Sequence, residues 1–148
     1  MSIRIGILAL ILLMIACGAT TPTPSLSTDT QSSDLATEAE QIEFLGRYVT
    51  LKSAVSETEF HIIYHDNSGE LVGGPSDWDI EAVMRVADVA AWVDGKTRVD
   101  SADFSWAEGF LSEGLRPNSE PVYYTNGTTT IAVFEPEQIV FFRSTTSP

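Results

Sequence analysis

The stretch Pro121–Phe142, PVYYTNGTTTIAVFEPEQIVFF, decides the predicted fold. Its first two runs, VYYT and TTTIAVF, are rich in β-branched and aromatic residues and are separated by Asn126-Gly127. Asn-Gly between such runs predicts a β-hairpin with a type I′ turn. A further turn at Glu135-Pro136-Glu137 leads into the apolar run Ile139–Phe142. The sequence therefore predicts a three-stranded antiparallel meander.

These last strands are apolar at every position rather than at alternate positions. Ile131 and Val133 alternate with Ala132 and Phe134, and Ile139–Phe142 has no polar residue at all. A strand with one solvated face alternates between apolar and polar residues, whereas a strand covered on both faces does not. We therefore expect both faces of the sheet to be covered here.

Two further strands are predicted upstream. Phe60–Tyr64, FHIIY, is β-branched and aromatic. The run Trp78–Val86 alternates, which places five apolar residues on one face of a strand: Trp78, Ile80, Ala82, Met84 and Val86. The segment between the two strands, His65–Asp77 (HDNSGELVGGPSD), is rich in turn-forming residues and predicts a connection.

Three segments predict short helices. Leu35–Leu45 has helical spacing and is followed by Gly46, and Asp88–Val93 is followed by Gly95. Ser105-Trp106-Ala107-Glu108 fits a capping box that opens a third helix toward Gly114. Together these elements predict an α+β domain, an antiparallel sheet of about five strands with short helices packed on one face.

The amino terminus has the pattern of an export signal. Arg4 precedes an uncharged apolar run that ends at Ala16, directly before Cys17, the one cysteine of the chain. A run of about a dozen residues is too short to span a bilayer, which needs about 20 residues in a helix. Residues 1–16 are therefore predicted to be a secretory signal peptide.

The segment Met14-Ile15-Ala16-Cys17 resembles the lipobox of bacterial lipoproteins, with Met three positions before the cysteine and a small residue directly before it. The resemblance implies cleavage between Ala16 and Cys17 and attachment of a diacylglycerol to the Cys17 thiol. Fatty chains such as palmitate would then anchor the chain to the cell membrane or the outer membrane, on its extracytoplasmic side. Two alternatives remain: ordinary signal peptidase cleavage after Ala19, which gives a soluble secreted protein, and an uncleaved anchor.

Beyond the signal, the chain divides into two parts. Residues 17–40 comprise the lipid-attachment cysteine and a stretch rich in Thr, Ser and Pro with few large apolar residues. Such a composition buries too little surface to become ordered, and it predicts a flexible tether. Residues 41–143 are predicted to form a single α+β domain of ordinary size.

The charge balance restricts the partners. The chain has 8 Lys and Arg against 21 Asp and Glu, a formal net charge of −13 at pH 7. This excess argues against nucleic acid and against an anionic membrane surface as partners, and it favours cationic partners. A charge excess that only keeps the surface solvated is the alternative. With Cys17 lipidated, no disulfide is available, and stability must come from the core.

The two histidines, His61 and His65, do not predict a metal site. On a strand, residues four apart lie about 13 Å from one another, so one ion cannot bind both. The segment Asp66–Gly69 lacks the alternating oxygen ligands of an EF-hand loop, although the acidic residues nearby make a calcium site conceivable. We predict neither a metal nor any other cofactor.

The connection between the two long strands holds the residues that we expect to bind a partner, because exposed loops on a rigid hairpin commonly do so. These residues are Asp66, Asn67, Asp77, Trp78 and Asp79. Asp77 and Asp79 would lie about 7 Å apart on one strand face, a separation also compatible with paired-carboxylate hydrolysis. Alternatively, Gly73-Gly74-Pro75 only turns the chain and Trp78 fills the core.

The sequence contains no nucleophile elbow GxSxG and no glycine-rich phosphate loop after a strand. We therefore expect a membrane-anchored cell-envelope lipoprotein whose small acidic domain binds an envelope protein or small ligand without catalysis. Two alternatives are an envelope hydrolase that uses acidic residues near 66–79 and a structural spacer on the cell surface. The spacer predicts that no concave site lies beside residues 66–79.

Overall fold

The computed structural model describes residues 27–67 and 75–146. The strands in these ranges are β1 (Thr28–Gln31), β2 (Val55–His65), β3 (Asp77–Val86), β4 (Thr97–Val99), β5 (Val122–Thr125), β6 (Thr129–Phe134) and β7 (Ile139–Thr145). They form one sheet in the order β1-β2-β3-β7-β6-β5-β4. Every neighbouring pair is antiparallel.

Two α-helices accompany the sheet, α1 (Glu38–Leu45) and α2 (Ala90–Val93), together with 3₁₀ turns at Ser32–Asp34, Ser105–Gly109 and Glu135–Glu137. The predicted antiparallel sheet is confirmed, but it has seven strands in the described ranges rather than about five, and the fold is mainly β. The missed strands are the two edges, β1 (TDTQ) and β4 (TRV). They have no apolar alternation because their backbones pair while their side chains stay largely in solvent.

The folded part begins earlier than predicted, so the tether prediction is wrong for residues 28–40. Thr28–Gln31 pair with His61–Tyr64 of β2. At the start of α1, Thr37 Oγ1 accepts a hydrogen bond from Glu40 N, and the Glu40 side chain accepts one from Thr37 N. Polar hydrogen bonds therefore order a segment with few apolar residues. The predicted signal peptide, Cys17 and residues 18–26 of the tether lie outside the described residues.

One face of the sheet, here called the first face, carries the larger core. The β3 residues predicted to share a face do so: Ile80, Ala82, Met84 and Val86 are buried, and Trp78 packs against them. Both α-helices pack here, α1 through Leu45 and α2 through Trp92, so the prediction of helices on one face is confirmed for α1 and α2.

The opposite face, here called the second face, carries a smaller core, which confirms that both faces are covered. Its buried members from the sheet are Val83, Ala132, Phe134, Ile139 and Phe141. The turn Ser105–Gly109 packs onto it through Ala107. The helix predicted here is a 3₁₀ turn, and its capping box is absent. Asp103 Oδ1, rather than the Ser105 side chain, accepts the hydrogen bond at this end of the turn, from Ser105 N at 2.9 Å.

The predicted hairpin β5–β6 and meander β5-β6-β7 are confirmed, but the turn type is wrong. β5 ends at Thr125 and β6 begins at Thr129, so the loop holds three residues, 126–128, rather than two. A type I′ turn needs positive φ at both central residues, whereas of Asn126 and Gly127 only Gly127 has it, at +100°. Asn126 closes the loop through both its backbone and its side chain: Asn126 N donates to Thr129 O at 3.1 Å, and Asn126 Oδ1 accepts a hydrogen bond from Thr129 N at 3.1 Å.

Candidate polar cleft on the second face

The second core does not extend along the whole second face. Beyond it lies an open cleft of about 640 Å³, bordered by residues of β3, β6, β7 and the segment before Ser105. We call it the polar cleft, and its charged and hydroxyl-bearing lining includes Asp77, Asp79, Asp103, Thr130, Arg143 and Thr145.

Strand alternation sets which side chains reach the polar cleft. Asp79 and Glu81 share the parity of Val83, so they lie on the second face, directly beyond the last apolar residue of that row. Pairing of β3 with β7 places Arg143 beside Glu81 and Thr145 beside Asp79. β3 therefore changes from apolar Val83 to charged Glu81 and Asp79 along this face, and Asp79 lines the cleft.

Arg143 is held by charge rather than by hydrogen bonds. Its Nε lies 3.8 Å from Asp79 Oδ1 and 3.7 Å from Glu81 Oε1, distances too long for hydrogen bonds. Asp79 Oδ1 and Arg143 Nε have no hydrogen-bond partner in the part of the chain that the structure describes. Both atoms are themselves buried, although the Asp79 and Arg143 side chains as a whole are 44% and 37% exposed.

Two acids near Arg143, Glu81 and Asp103, have opposite pKa shifts. Burial raises the pKa of Glu81, the negative charge of Asp79 raises it further, and Arg143 and His61 oppose the rise. The backbone N–H of Ser105 donates to Asp103 and lowers the pKa of Asp103. Asp103 therefore stays charged, while Glu81 retains its proton to a higher pH than an ordinary glutamate.

A second groove of about 700 Å³ lies between α1, β2 and the segment 109–115. Its three glutamates all accept hydrogen bonds from the protein: Glu38 from Thr58 N (2.6 Å), Glu57 from Arg85 Nε (3.2 Å) and Glu59 from Ser112 N (3.1 Å). These carboxylates hold the fold together. The Asp77 carboxylate in the polar cleft accepts no hydrogen bond from the described residues, so we take the polar cleft as the candidate site.

The structure brings together some of the residues expected to bind. Asp77 and Asp79 line the polar cleft. Trp78 touches it too, but its ring packs against the first core and its Nε1 donates to Ser144 Oγ at 3.1 Å. Asp66 and Asn67 lie outside the cleft: Asp66 N donates to Ser27 Oγ and Asn67 Nδ2 donates to Pro75 O. The rest of the connection, residues 68–74, falls outside the described ranges.

The histidines do not meet at one site. His61 Nε2 lies 2.9 Å from Asp29 Oδ1 and so links β2 to the edge strand β1. His65 is exposed and lines the polar cleft. Over residues 27–67 and 75–146, no group of three His, Cys, Asp or Glu side chains could hold a metal ion.

Three charged residues in or beside the site were missed from the sequence: Asp103 and Arg143, which line the cleft, and Glu81, which lies 3.7 Å from Arg143. Glu81 had a signal, because it continues the spacing of Asp77 and Asp79 along the alternating strand. Arg143 had none, because its place depends on β3 pairing with β7 across about sixty residues of chain. Asp103 lies in a loop whose path the sequence pattern does not specify.

No known protein family model matches this chain, and neither a curated protein nor a solved structure is significantly similar to it. Among the helices in the described ranges, none has both the length and the apolar character needed to cross a bilayer.

Proposed function

We propose that the protein is a cell-envelope lipoprotein, held by fatty chains on Cys17 at the extracytoplasmic side of the cell membrane or the outer membrane. The lipobox-like segment Met14–Cys17 after a short apolar run supports this proposal. Two or more acyl chains anchor a protein stably, whereas one does not.

Mass spectrometry of the mature amino terminus, on protein recovered from cells, tests the anchor. We expect a diacylated Cys17 as the first residue, incorporation of labelled palmitate, and loss of both in Cys17→Ser. An unmodified thiol would overturn the proposal, and a terminus at Thr20 would favour ordinary secretion.

We further propose that the domain binds an envelope protein or a small ligand with a cationic group, and that the polar cleft is the site. The observation that carries this proposal is the excess of acids: Asp77, Asp79 and Asp103 line the cleft, and Arg143 is the one Lys or Arg among its described lining residues. Carboxylates that outnumber the cations attract a positive group, and each can form charge-assisted hydrogen bonds.

Capture from native envelopes, with the full chain as bait, tests the cleft. The variant Asp77→Asn/Asp79→Asn is compared with Asp94→Asn/Glu113→Gln, which removes the same charge from exposed residues outside both clefts. We expect the cleft variant to lose a component that the wild type and the control both retain, and capture by the wild type to weaken as salt rises. Equal capture by both double variants would overturn the cleft as the site.

An envelope hydrolase is the second candidate. One observation favours it: Glu81, whose pKa is raised by burial, lies on the same strand face as the cleft residue Asp79, and pairs of acids with separated pKa values serve as acid and base in hydrolysis. Turnover of candidate envelope substrates by the wild type, abolished in Glu81→Gln, would support this function. Retained capture without turnover would count against it.

A structural spacer is the third candidate. It predicts no concave site beside residues 66–79, so the polar cleft at Asp77 and Asp79 weighs against it.

A further inference from the structure

The loop between β5 and β6 holds an Asn-Gly pair in a distinctive arrangement. Asn126 and Gly127 are both exposed, and Gly127 lies on the rim of the polar cleft. No atom other than those of its chain neighbours lies within 4 Å of the place where a Gly127 Cβ would stand. The space beside Gly127 is therefore open, and glycine has no Cβ of its own to hinder the approach of its backbone nitrogen to the side-chain amide of Asn126.

The Asn126 amide is also polarised. Thr129 N donates a hydrogen bond to Asn126 Oδ1 at 3.1 Å. A donor fixed on a carbonyl oxygen withdraws electron density from the carbon and stabilises the oxyanion that forms when a nucleophile attacks. Among the described residues, the Gly127 N–H donates to Thr125 Oγ1 alone, at 3.2 Å and in an exposed position.

We propose that Asn126-Gly127 is a site of spontaneous deamidation through a succinimide. The Gly127 nitrogen loses its proton and attacks Asn126 Cγ, the new N–Cγ bond closes the ring, and the Cγ–Nδ2 bond breaks to release ammonia. Water then adds to one of the two ring carbonyl carbons and breaks its bond to nitrogen, which leaves aspartate or isoaspartate. The sum consumes one water and releases one ammonia, with no change in oxidation state.

The products have different structural consequences. An aspartate keeps an oxygen that accepts from Thr129 N, so the loop is retained and the cleft rim gains one negative charge. An isoaspartate adds a main-chain atom between residues 126 and 127, next to the paired Thr125 and Thr130, and we expect it to open the end of the hairpin.

Asn118 is an internal control for this reaction. It is exposed too, but its follower Ser119 has a side chain, and the Ser119 N–H donates to the Glu137 carboxylate at 3.0 Å. After Asn118, the attacking nitrogen of Ser119 is therefore hindered by a side chain and hydrogen-bonded to a carboxylate. After Asn126, the nitrogen of Gly127 is neither hindered by a side chain nor bound to a charged group.

The test incubates the folded full-length chain in mildly alkaline buffer and maps both sites by fragment-ion mass spectrometry. We expect conversion at Asn126 to exceed that at Asn118 by at least about tenfold, since a single oxyanion donor changes rates by about 10²–10³ in enzymes. We also expect an acidic shift on ion exchange and hydroxylamine cleavage between residues 126 and 127, both absent in Asn126→Gln. Equal conversion at the two sites, or a bond resistant to hydroxylamine, would overturn the proposal.

Discussion

The two faces of the sheet use the same strands for different purposes. On the first face, apolar side chains continue along β2, β3, β6 and β7, and both α-helices cover them. On the second face, apolar side chains stop at Val83 of β3, and Glu81 and Asp79 follow in the same row. One face is a closed core, while the other is half core and half charged cleft.

This difference shows how a small domain can combine stability with a polar site. The backbone of β3 is shared, so the first core fixes the positions of Asp79 and Glu81 although neither residue contributes to that core. A site built on strands is held more rigidly than a site on loops. Substitutions in the first core should therefore lower the free energy of unfolding more than substitutions in the cleft do.

The largest expected effect is on the first face. Phe60 is 1% exposed and stacks on Phe44 of α1, with ring centroids 5.9 Å apart. Phe60→Ala should lower the free energy of unfolding by about 3–5 kcal/mol, because it removes buried surface and leaves a cavity. Denaturant unfolding followed by circular dichroism measures this loss.

The matched control is Phe110→Ala on the second face. Phe110 is only partly buried, and it stacks on Trp106 with centroids 5.3 Å apart. A loss of about 1–2 kcal/mol is expected there. An equal or larger loss for Phe110→Ala would contradict the view that the first face carries most of the stability.

The sequence predicted the parts of this fold that depend on local pattern. Alternation along Trp78–Val86 places the β3 face correctly, and the unbroken apolar run Ile139–Phe142 predicts two covered faces. The edge strands were missed because TDTQ and TRV pair through backbone groups that every residue has. The turn type was missed because Asn126 closes the loop with its backbone N–H and its side chain rather than by positive φ.

The site was only partly predictable for a related reason. Asp77 and Asp79 are neighbours along one strand, so spacing alone places them on one face. Arg143 joins them only through the β3–β7 register, and Asp103 only through the loop before Ser105. Pairing of distant strands depends on the packing of the whole chain, which no short sequence window contains.

A smaller effect is expected when the cleft loses its cation. In Arg143→Met, Asp79 and Glu81 would repel one another without compensation, and for these partly buried side chains we expect a loss of about 1–2 kcal/mol at neutral pH. The loss should shrink in acid, where the carboxylates become protonated. Arg98→Met is the control, since Arg98 is an exposed residue of β4 and should change stability by less than about 0.5 kcal/mol. Equal losses would show that Arg143 does not balance the cleft acids.

The smallest expected effect is on the pH dependence of stability, which should have opposite signs for substitutions of Glu81 and of Glu137. The pKa of Glu81 lies above its ordinary value of 4.5, so the folded chain binds this proton more tightly than the unfolded chain does. Glu81 therefore favours folding in acid, and this contribution is lost as pH rises through the folded-state pKa. Glu81→Gln cannot titrate, so its stability relative to wild type should improve as pH rises above 4.5.

Glu137 should show the opposite slope. The Ser119 hydroxyl donates to Glu137 Oε2 at 2.6 Å and lowers the pKa of Glu137, helped by the backbone N–H groups of Asn118 and Ser119. The folded chain therefore favours the charged carboxylate, and its contribution is present above the ordinary pKa of 4.5 and lost as pH falls through the lower folded-state pKa. Glu137→Gln should thus be least stable, relative to wild type, at neutral pH and equal to it in strong acid. Thermal unfolding across the acid range measures both variants together. Slopes of the same sign would mean that burial beside the cleft does not distinguish Glu81 from a glutamate that binds backbone N–H groups.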